Sequence, residues 1–472
     1  MRTLSLLHLS RLPAYRSTRA VALVLALGGA EASHAGGYLY SDSGIVANGR
    51  GGAWVAGADT QFAQRYNPAG LIRIEAPTVN IGWSGVQQNI SFERAKAEGG
   101  FYKPAVNEAP PFSVPQLGFA TPLGEKFGFA FGFHSPYAPS SLYDEEGPQR
   151  YSVKDTTIIQ FSLGPSLAWQ PVPEFTLGLS VHYQMLQVSQ TLDITYSGID
   201  NPGGDIAIGL SVMDAANINM NAGLLVEPIE QISIGASFEP PITYRARGTA
   251  NVNFAGNAVE DMLNKTVYKD KDVKATIRLP MILRGGVAVR PVPKLEIETA
   301  VVWQQWSKSE DIPIEEVEFE LDVVEDSFLE VLVPPEEQTI NQDFDIPQNF
   351  RNTTSYRLGA EYAIIDELDW RLGGAYETGA LLPKYMDVSL VDPAKWQIGT
   401  GPSVHLLDRK LRLDGAFSMI FFPDVNVVNS TRIQTDAGVL DGITPLVVGN
   451  GKYASNGWVV GLQASYIFRR DG

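Results

Sequence analysis

The sequence predicts an all-β protein: a 14-stranded antiparallel transmembrane β-barrel with an N-terminal hatch, or plug, inside its lumen. Three observations lead to this prediction. An export signal opens the chain. Apolar and polar residues then alternate with a period of two over most of the remainder. Finally, the connections between these segments are alternately short and long, as in outer-membrane barrels.

The first 35 residues form a predicted signal peptide. Four arginines accompany the apolar run "AVALVLALGGA" at 20–30, and the small residues Ser33 and Ala35 follow it. This order predicts cleavage after Ala35. A membrane anchor is the weaker alternative, because the run is about half of the ~20 residues that a spanning helix needs. No later apolar stretch reaches that length.

Composition limits the remaining possibilities. The chain has no cysteine, so an exported fold must be stabilised by a large core or by continuous backbone pairing. The net charge of −17 argues against nucleic acid as a partner. Residues 308–349 hold fourteen Asp or Glu, with only Lys308 to offset them. We interpret this stretch as a solvated loop, and a divalent-cation site is the sharper alternative.

The alternation is clear in individual segments. In "KFGFAFGFH" the side chains of Phe127, Phe129, Phe131 and Phe133 fall on one face, with small residues and His134 opposite. Fourteen such segments are predicted, at approximately 76–92, 112–121, 126–135, 153–170, 174–193, 210–227, 230–247, 274–290, 294–307, 352–364, 368–380, 394–406, 409–423 and 453–468. An even count suits an antiparallel barrel that closes on itself.

The connections indicate a membrane barrel rather than a β-sandwich. Links after the even-numbered segments are short, such as "PLGEK" and "PVPE", whereas those after the odd-numbered segments are long. Outer-membrane barrels have short periplasmic turns and long external loops. Lipid offers no partner to an open sheet edge, so the sheet must close.

If the apolar faces meet lipid, the opposite faces line the lumen. That assignment directs the following residues inward: Arg278, Arg284, Glu296, Glu298, Arg357, Glu361, Arg371, Lys410, Arg412 and Asp414. Eight strands are filled by their own side chains and sixteen or more leave a pore. A barrel of fourteen should therefore contain something in its lumen.

Residues 36–75 are the predicted occupant, and residues 76–468 are the predicted barrel. The segment is Gly-rich and weakly helical, and it precedes the first strand. Pro68 restricts Asn67 to an extended conformation, so the plug would stop there and lead into that strand. An ordinary Asn-Pro turn is the alternative.

The chain resembles the FadL-type outer-membrane transporters of long-chain fatty acids and related hydrophobic compounds. The resemblance rests on "NPAGL", "FGFHSPYAPSSLYDEEG", "SLAWQPVPEFTLGLSVHYQ", "LPMILRGGVAVRPVPKLEIETAVVWQQWS" and "YRLGAEYAIIDELDWRLGGAYETGALLP". It implies capture of ligand at external loops, transfer to a lumenal pocket, movement of the hatch, and lateral release at a kinked third strand.

The resemblance also assigns residues. It implies that Asn67, Pro68 and Ala69 form the hatch motif. It places the kink and lateral opening at Phe133, His134, Pro136 and Pro139. The two prolines support the kink independently, because proline cannot donate to a strand ladder.

Residues that contact the ligand are predicted from chemistry. A fatty acid needs an apolar path and a cation for its carboxylate, and the inward arginines Arg284 and Arg371 are the candidates. Pairing of these arginines with lumenal carboxylates is the alternative. An external groove is expected at Val259, Met262, Leu263 and Val267, which have helical spacing and, in the other interpretation, simply pack.

The sequence does not predict an enzyme. After the signal peptide only His134, His182 and His405 remain, and no nucleophile motif, phosphate loop or metal-spaced cluster accompanies them. We therefore expect no catalytic residues, cofactor or resident metal. A general diffusion porin and a surface receptor or adhesin are the alternative functions.

The expected environment is the outer membrane of a Gram-negative bacterium. The expected partners are a long-chain fatty acid or another hydrophobic small molecule, outer-membrane lipid, and the outer-membrane assembly machinery. The resemblance suggests a monomer. The sequence leaves the choice between a fatty acid and an aromatic hydrocarbon open.

Overall fold

The computed structural model describes residues 44–136, 140–195, 200–253, 263–268, 273–309, 311–316, 318–323, 339–341, 344–346, 348–434 and 446–469. The predicted signal peptide at 1–35 lies outside these residues. Among the residues described, no helix combines the length and the apolarity needed to cross a bilayer.

Fourteen strands, numbered here along the chain, form the barrel. Their bounds are Thr78–Arg94, Phe112–Pro122, Phe127–His134, Asp155–Val172, Phe175–Thr195, Asp205–Ile229, Ile232–Glu239 with Ile242–Asn253, Val273–Leu279 with Ile282–Val292, Leu295–Gln304, Thr353–Ile365, Leu368–Glu377, Lys395–Leu406, Leu411–Phe421 and Gly451–Ile467. Strands 7 and 8 each consist of two segments because a kink interrupts them.

The sheet closes on itself through its first and last strands. Strand 1 pairs with strand 2 on one side and with strand 14 on the other, in a register that runs from Thr78↔Ile467 to Arg94↔Gly451. Every neighbouring pair is antiparallel, so backbone groups along this seam find partners within the wall. The predicted 14-stranded antiparallel barrel is confirmed.

Side chains alternate between the two faces of the wall as predicted. Phe127 and Phe131 are exposed on the outer face of strand 3, whereas Ala130 and His134 are buried on the inner face. The structure also directs most of the predicted lumenal charges inward: Arg284, Glu296, Glu298, Arg357, Glu361, Arg371, Arg412 and Asp414. Lys410 lies in the turn before strand 13 and not on a strand.

Arg278 is a correction to the predicted facing, because it lies on the outer face. Inward residues of strand 8 are even-numbered from Ile282 onward but odd-numbered from Val273 to Leu279. The kink at 280–281 adds one residue to the alternation, and a one-residue shift moves every following side chain to the other face. Strand 7 shifts in the same way at 240–241.

Short elements extend the barrel beyond the wall at its long-loop end. Five short strands pair with barrel strands or with each other: Ala105–Val106, Ser140–Leu142, Ile312–Glu315, Phe344–Ile346 and Val425–Val427. Single-turn 3₁₀ helices occupy Pro202–Gly204, Trp306–Lys308 and Pro383–Tyr385.

A separate three-stranded sheet corrects the predicted loop helix. Leu263–Tyr268 is a strand that pairs with Glu318–Val323, and the latter also pairs with Thr339–Asn341. Leu263 and Val267 are therefore on a strand, because pairing between two external loops overrides their helical spacing. Val259 and Met262 lie outside the described residues.

Residues 44–75, called the inner segment here, pack against the lumenal face of the barrel. The segment contains two short α-helices, Ile45–Gly49 and Ala63–Tyr66, and a 3₁₀ helix at Pro68–Arg73. Most of its side chains are buried, and Trp54 packs edge-on against Tyr66.

Lumenal glycines allow the inner segment to approach the wall closely. A Cβ added to Gly373 or Gly399 would collide with the carbonyl oxygen of Arg50 or Asn48 respectively. An added Cβ would likewise collide with backbone atoms of the inner segment at Gly128, Gly178 and Gly235, and with the Asn67 side chain at Gly223. Side chains at these positions would occupy space that the inner segment fills.

We predict that Gly373→Val expels or distorts the inner segment near Arg50. Overpacking of this kind lowers the free energy of unfolding by about 1–3 kcal/mol, which urea unfolding in lipid vesicles measures. Gly285→Val is the matched control, since nothing lies within 4 Å of an added Cβ there. Equal stability of the two variants would contradict this account of the close approach.

Candidate functional site

Asn67 joins the inner segment to the barrel wall. Its backbone is extended (φ −156°, ψ 99°), as the following proline requires, and its side chain accepts a hydrogen bond from Ala69 N at 3.2 Å. The amide nitrogen donates to Val55 O and Leu224 O, both at 2.9 Å. Asn67 therefore caps the 3₁₀ helix that begins at Pro68, and it also hydrogen-bonds to the backbone of strand 6. The chain does not enter strand 1 directly, because this helix intervenes.

Glu298 of strand 9 clamps the centre of the inner segment. Its fully buried carboxylate accepts three backbone N–H groups, from Val55 at 2.5 Å, Ala56 at 2.9 Å and Gly57 at 2.8 Å. The Arg50 guanidinium lies 3.6 Å from Glu298 and 2.8 Å from Glu296. A buried charge is tolerable only with such pairing and hydrogen bonding.

Other lumenal side chains satisfy backbone carbonyls of the inner segment. Ser180 donates to Gln64 O at 2.9 Å, Ser237 to Tyr66 O at 2.6 Å, and Ser418 to Asn48 O at 3.0 Å. Buried backbone groups need partners, and here barrel side chains provide them. No sequence motif marks these serines, and only their inward position could have been predicted.

A polar layer lies directly above the inner segment, on the side of the long loops. We call it the polar floor, and its residues, which belong to strands 4, 5, 7 and 8, are Gln160, His182, Gln184, Glu239, Tyr244 and Arg284. The Tyr244 hydroxyl donates to Gln184 Oε1 at 2.7 Å and accepts from Gln160 Nε2 at 2.5 Å. His182 Nε2 lies 3.4 Å from Oε1 of Gln64 in the inner segment.

The floor also contains buried polar atoms without a hydrogen-bond partner among the described residues. Gln160 Oε1 and, at the floor's edge, His134 Nδ1 and Gln64 Nε2 are in this state. Each of these three side chains is almost completely buried. An unmade hydrogen bond costs about 1–3 kcal/mol, so these atoms suit water or a polar group of a ligand.

An apolar cluster lies above the floor and continues it along the same strands. On strand 4, Ile158 is the next inward residue after Gln160, and on strand 5, Leu186 follows Gln184. We call this the upper cluster. Its members include Val188, Leu192, Ile194, Ile206, Ile208, Leu210, Val212, Ile242, Ala246, Val273, Ile277 and Leu279, together with the loop residues Trp306, Phe350, Leu381, Met386 and Leu390.

The two predicted carboxylate-binding arginines have carboxylate partners in the lumen. Arg284 lies 3.0 Å from Glu239, which also pairs with Arg65 of the inner segment. Arg371 lies 2.6 Å from Glu361 and 3.1 Å from Asp414. This is the pairing alternative that the sequence left open. A ligand-binding role for either arginine stays a prediction.

Strand 3 leaves the sheet at the predicted kink. Its last pair with strand 2 is Leu117↔Phe133, and its last pair with strand 4 is His134↔Ser162. Among the described residues, strand pairing with strand 4 resumes at Ser140↔Thr157, and between these pairs the Ser135 hydroxyl donates to Gln160 O at 2.6 Å. Pro136 follows the last pair, and Pro139 lies outside the described residues. The buried His134 ring contacts the rings of His182 and Phe62 at centroid distances of 5.4 and 6.3 Å.

Ion pairs connect three external loops near strand 1. Asp200 pairs with Arg94 and with Arg150, the latter at 2.7 Å, and accepts a hydrogen bond from the Tyr102 hydroxyl at 2.6 Å. Burial raises the pKa of the Asp200 carboxyl, but the hydroxyl and both guanidinium groups outweigh burial, and its pKa lies below the usual value. Asp205 also forms an ion pair with Arg150, with its Oδ2 2.6 Å from Arg150 Nε.

The part of the chain that the structure describes contains no set of side chains arranged to bind a metal ion. No group of three or more His, Asp or Glu residues has a suitable arrangement there. Most of the acidic stretch 308–349 lies outside the described residues, so its proposed cation site is untested.

Comparison with known proteins identifies relatives along nearly the whole chain. The model of one protein family, described as "Outer membrane protein transport protein (OMPP1/FadL/TodX)", matches residues 26–468. The 47 kDa outer membrane protein of Pasteurella multocida is 23% identical over 374 residues, which cover 76% of this chain and 81% of that protein. Outer membrane protein P1 of Haemophilus influenzae is 23% identical over 407 residues, covering 77% and 81%.

Solved structures share the fold. A Pseudomonas aeruginosa FadL homologue superposes with a TM-score of 0.71 at 18% identity and covers 92% of this chain and 100% of its own. The P. putida toluene transporter TodX gives a TM-score of 0.64 at 15% identity, with coverage of 92% and 100%. At these identities the likeness shows the fold alone.

We predict that Glu298→Gln loosens the inner segment. Hydrogen bonds to a charged group contribute about 1.5–3 kcal/mol each, and loss of the charge weakens three of them at once. Single-channel recording in planar bilayers should show more frequent opening than the wild-type protein. Glu93→Gln is the control, because Glu93 pairs with Lys452 at an exposed external position. Identical recordings for both variants would show that the carboxylate does not hold the segment.

Proposed function

The chain belongs to the OMPP1/FadL/TodX family of outer membrane transport proteins, and from that premise we propose that it carries hydrophobic small molecules inward across the outer membrane. Long-chain fatty acids and aromatic hydrocarbons are the proposed cargo classes. The family is one of transport proteins, so transport and not catalysis is the proposed activity.

The division of the lumen into layers is the observation that carries this proposal. The upper cluster gives an apolar lining on the external side, and the polar floor and the inner segment lie beneath it. Apolar lining with a few placed polar groups is typical of a small-molecule site. A passage for ions or sugars would instead need a continuous polar surface.

The first proposed step is capture between the loops and the wall. Trp306, Phe350 and Met386 of the external loops pack against apolar side chains of strands 4 to 8 within the upper cluster. Burial of apolar ligand surface there contributes about 25 cal/mol per Å². The external loops that Asp200 connects through ion pairs with Arg94 and Arg150 lie beside this capture site.

The second step is transfer to the polar floor, where the ligand's polar end would bind. Gln160 Oε1 and His134 Nδ1 have no partner among the described residues, so a hydroxyl or a protonated carboxyl group could donate to Gln160 Oε1, and a carbonyl oxygen could accept from His134 Nδ1–H. An ionised carboxylate would have to compete with Glu239 for Arg284. We therefore rank Arg284 as a weaker ligand residue than the neutral groups.

The third step is movement of the inner segment, which we propose acts as the hatch, with Asn67, Pro68 and Ala69 as its motif. Its attachment is polar and local, through residues such as Glu298, Ser237 and Asn67. A rearrangement can exchange such hydrogen bonds for others. Ligand that satisfies the floor would change the contact between His182 and Gln64.

Release is proposed to be lateral, between strands 2 and 3. Strand 2 continues above Leu117 without a partner on strand 3 among the described residues, and His134 lies at this break beside the floor. A ligand leaving here enters hydrocarbon directly and does not need to cross the periplasmic half of the inner segment.

Specific observations favour transport over the two rival functions. A general diffusion porin needs an open lumen, whereas the inner segment packs against inward glycines of strands 3 to 12. A receptor or adhesin would depend on the acidic loop. Unchanged uptake combined with lost surface attachment after deletion of 310–345 would favour that role. A monomer and insertion by the outer-membrane assembly machinery remain expectations.

Uptake of labelled oleate and labelled naphthalene by cells tests the transport proposal. Cells that produce the wild-type protein should accumulate at least one of the two faster than cells without it. Ala246→Trp fills the upper cluster and should reduce this uptake about fivefold, because overpacking removes ligand space.

Ala236→Trp is the matched control, since this alanine faces outward on strand 7. Uptake of neither compound above the background of cells without the protein would refute the function. A selective gain for one compound would identify the cargo class.

A removable cross-link tests lateral release. The double variant Gln116→Cys/His134→Cys continues the register of strands 2 and 3 by one residue beyond their last pair. Because the chain has no native cysteine, oxidation should join only this pair, block uptake, and be reversed by reductant. Ala120→Cys/Ala130→Cys, a paired position within the ladder, should cross-link without blocking uptake. Full uptake by the oxidised first variant would rule this exit out.

A further inference from the structure

The external loop between strands 11 and 12 packs into the external opening of the barrel. It comprises residues 378–394 and is called the 378–394 loop here. Each of the eight residues from Met386 to Pro393 is buried. Connecting loops usually run over the protein surface, because buried backbone groups need partners. Burial over eight consecutive residues therefore indicates that this loop fills a space within the fold.

Two faces of the 378–394 loop pack in two different apolar clusters. Leu381, Met386 and Leu390 belong to the upper cluster, together with inward side chains of strands 4 to 8. Val388 and Val391 belong to a second cluster, together with side chains of strands 1 and 14. The loop thus lies between these two parts of the wall, and its first face occupies the apolar half of the lumen.

The loop provides hydrogen-bond partners for its own buried backbone. Leu390 N donates to Asp387 O at 3.1 Å, and Ser389 N donates to the Asp387 carboxylate at 2.7 Å. Ala380 N donates to the Asp392 carboxylate at 2.9 Å. A loop that is compact and internally bonded in this way resembles an Ω-loop. It can therefore move as a unit without leaving these groups unpaired.

The base of the loop is fixed, whereas its tip is held by few polar contacts. At the base, Lys395 is the ladder partner of Glu377 and its Nζ lies 2.7 Å from the Glu377 carboxylate. The hydrogen bonds that hold the tip to other described loops run from Thr431 N to Lys384 O at 2.9 Å, from Arg432 Nε to Tyr385 O at 3.0 Å, and from the Tyr143 hydroxyl to Val388 O at 3.4 Å. Displacement of the tip breaks these contacts but leaves the barrel ladder intact.

We propose that the 378–394 loop is an intramolecular competitor of the cargo. Leu381, Met386 and Leu390 occupy the apolar site, and cargo binds there by displacing them. This inference rests on the proposed function, which makes the upper cluster a cargo site. A molecule then binds only if it buries more apolar surface than the loop does, which favours long-chain and polycyclic compounds over small ones. Without cargo, the loop keeps the external opening closed.

Binding of the fluorescent fatty acid cis-parinaric acid to the detergent-purified full-length protein tests the competition. The variant M386S/L390S should bind this probe about tenfold more tightly than the wild-type protein, because a weaker competitor leaves more of the protein in the binding-competent state. The control variant I208S/I277S removes two wall side chains of the same cluster and should bind the probe more weakly. The two variants lose similar apolar surface, so only competition by the loop gives effects of opposite sign.

Limited proteolysis of the wild-type protein provides a second measurement. Trypsin should cleave after Lys384 faster with saturating oleate than without it, because the displaced tip becomes accessible, and mass spectrometry identifies the cleavage site. Folding of each variant is verified by its resistance to SDS before heating.

The outcomes separate this inference from the proposed function. Unchanged or weaker probe binding by M386S/L390S would overturn the inference, because the loop would then be inert or part of the site. Cleavage after Lys384 that oleate leaves unchanged or slows would overturn it as well. Absence of probe binding in the wild-type protein and in both variants would instead refute the proposed cargo site, and the inference with it.

Discussion

Satisfaction of backbone hydrogen bonds is the constraint on which the rest of this structure depends. In hydrocarbon an unpaired peptide group costs several kcal/mol, which forces strand 1 to meet strand 14 along its whole length. The same constraint continues inside the barrel. The inner segment has little regular structure of its own, so Glu298, several lumenal serines and Asn221 bind its peptide groups.

This arrangement gives the two halves of the lumen different chemistry. The half next to the short turns is polar and filled, because the peptide groups of the inner segment need donors and acceptors. The half next to the long loops is apolar, because no such segment has to be accommodated there and Leu192, Ile208 and Ile277 can face one another. The polar floor marks the boundary and holds the unpartnered atoms of Gln160 and His134.

The sequence was sufficient to predict most of the wall. Period-two alternation and the parity of the connections depend only on local residues, and both predicted the closed barrel correctly. The predicted facing of Arg278 was wrong, because a kink of one extra residue at Pro280 and Met281 reverses the alternation. Pro280 was the available signal, since proline cannot donate to a strand ladder. The strand at Leu263–Tyr268 was missed for a related reason: its partner lies more than fifty residues away, and local spacing resembled a helix.

The candidate site was less predictable than the wall. Arg284 and Arg371 were correctly placed inward, but only the structure shows Glu239, Glu361 and Asp414 beside them. Distant pairing of this kind cannot be read from one sequence. The floor residues Gln160, Gln184 and Tyr244 belong to three different strands, and no motif connects them.

The lumenal glycines limit how the lower half of the barrel can be altered. Where the wall and the inner segment touch backbone to backbone, as at Gly373 and Gly399, any larger residue forces the inner segment to shift. Side chains of the upper cluster make no such contact, so the shape of the lumen can change there without displacing the segment.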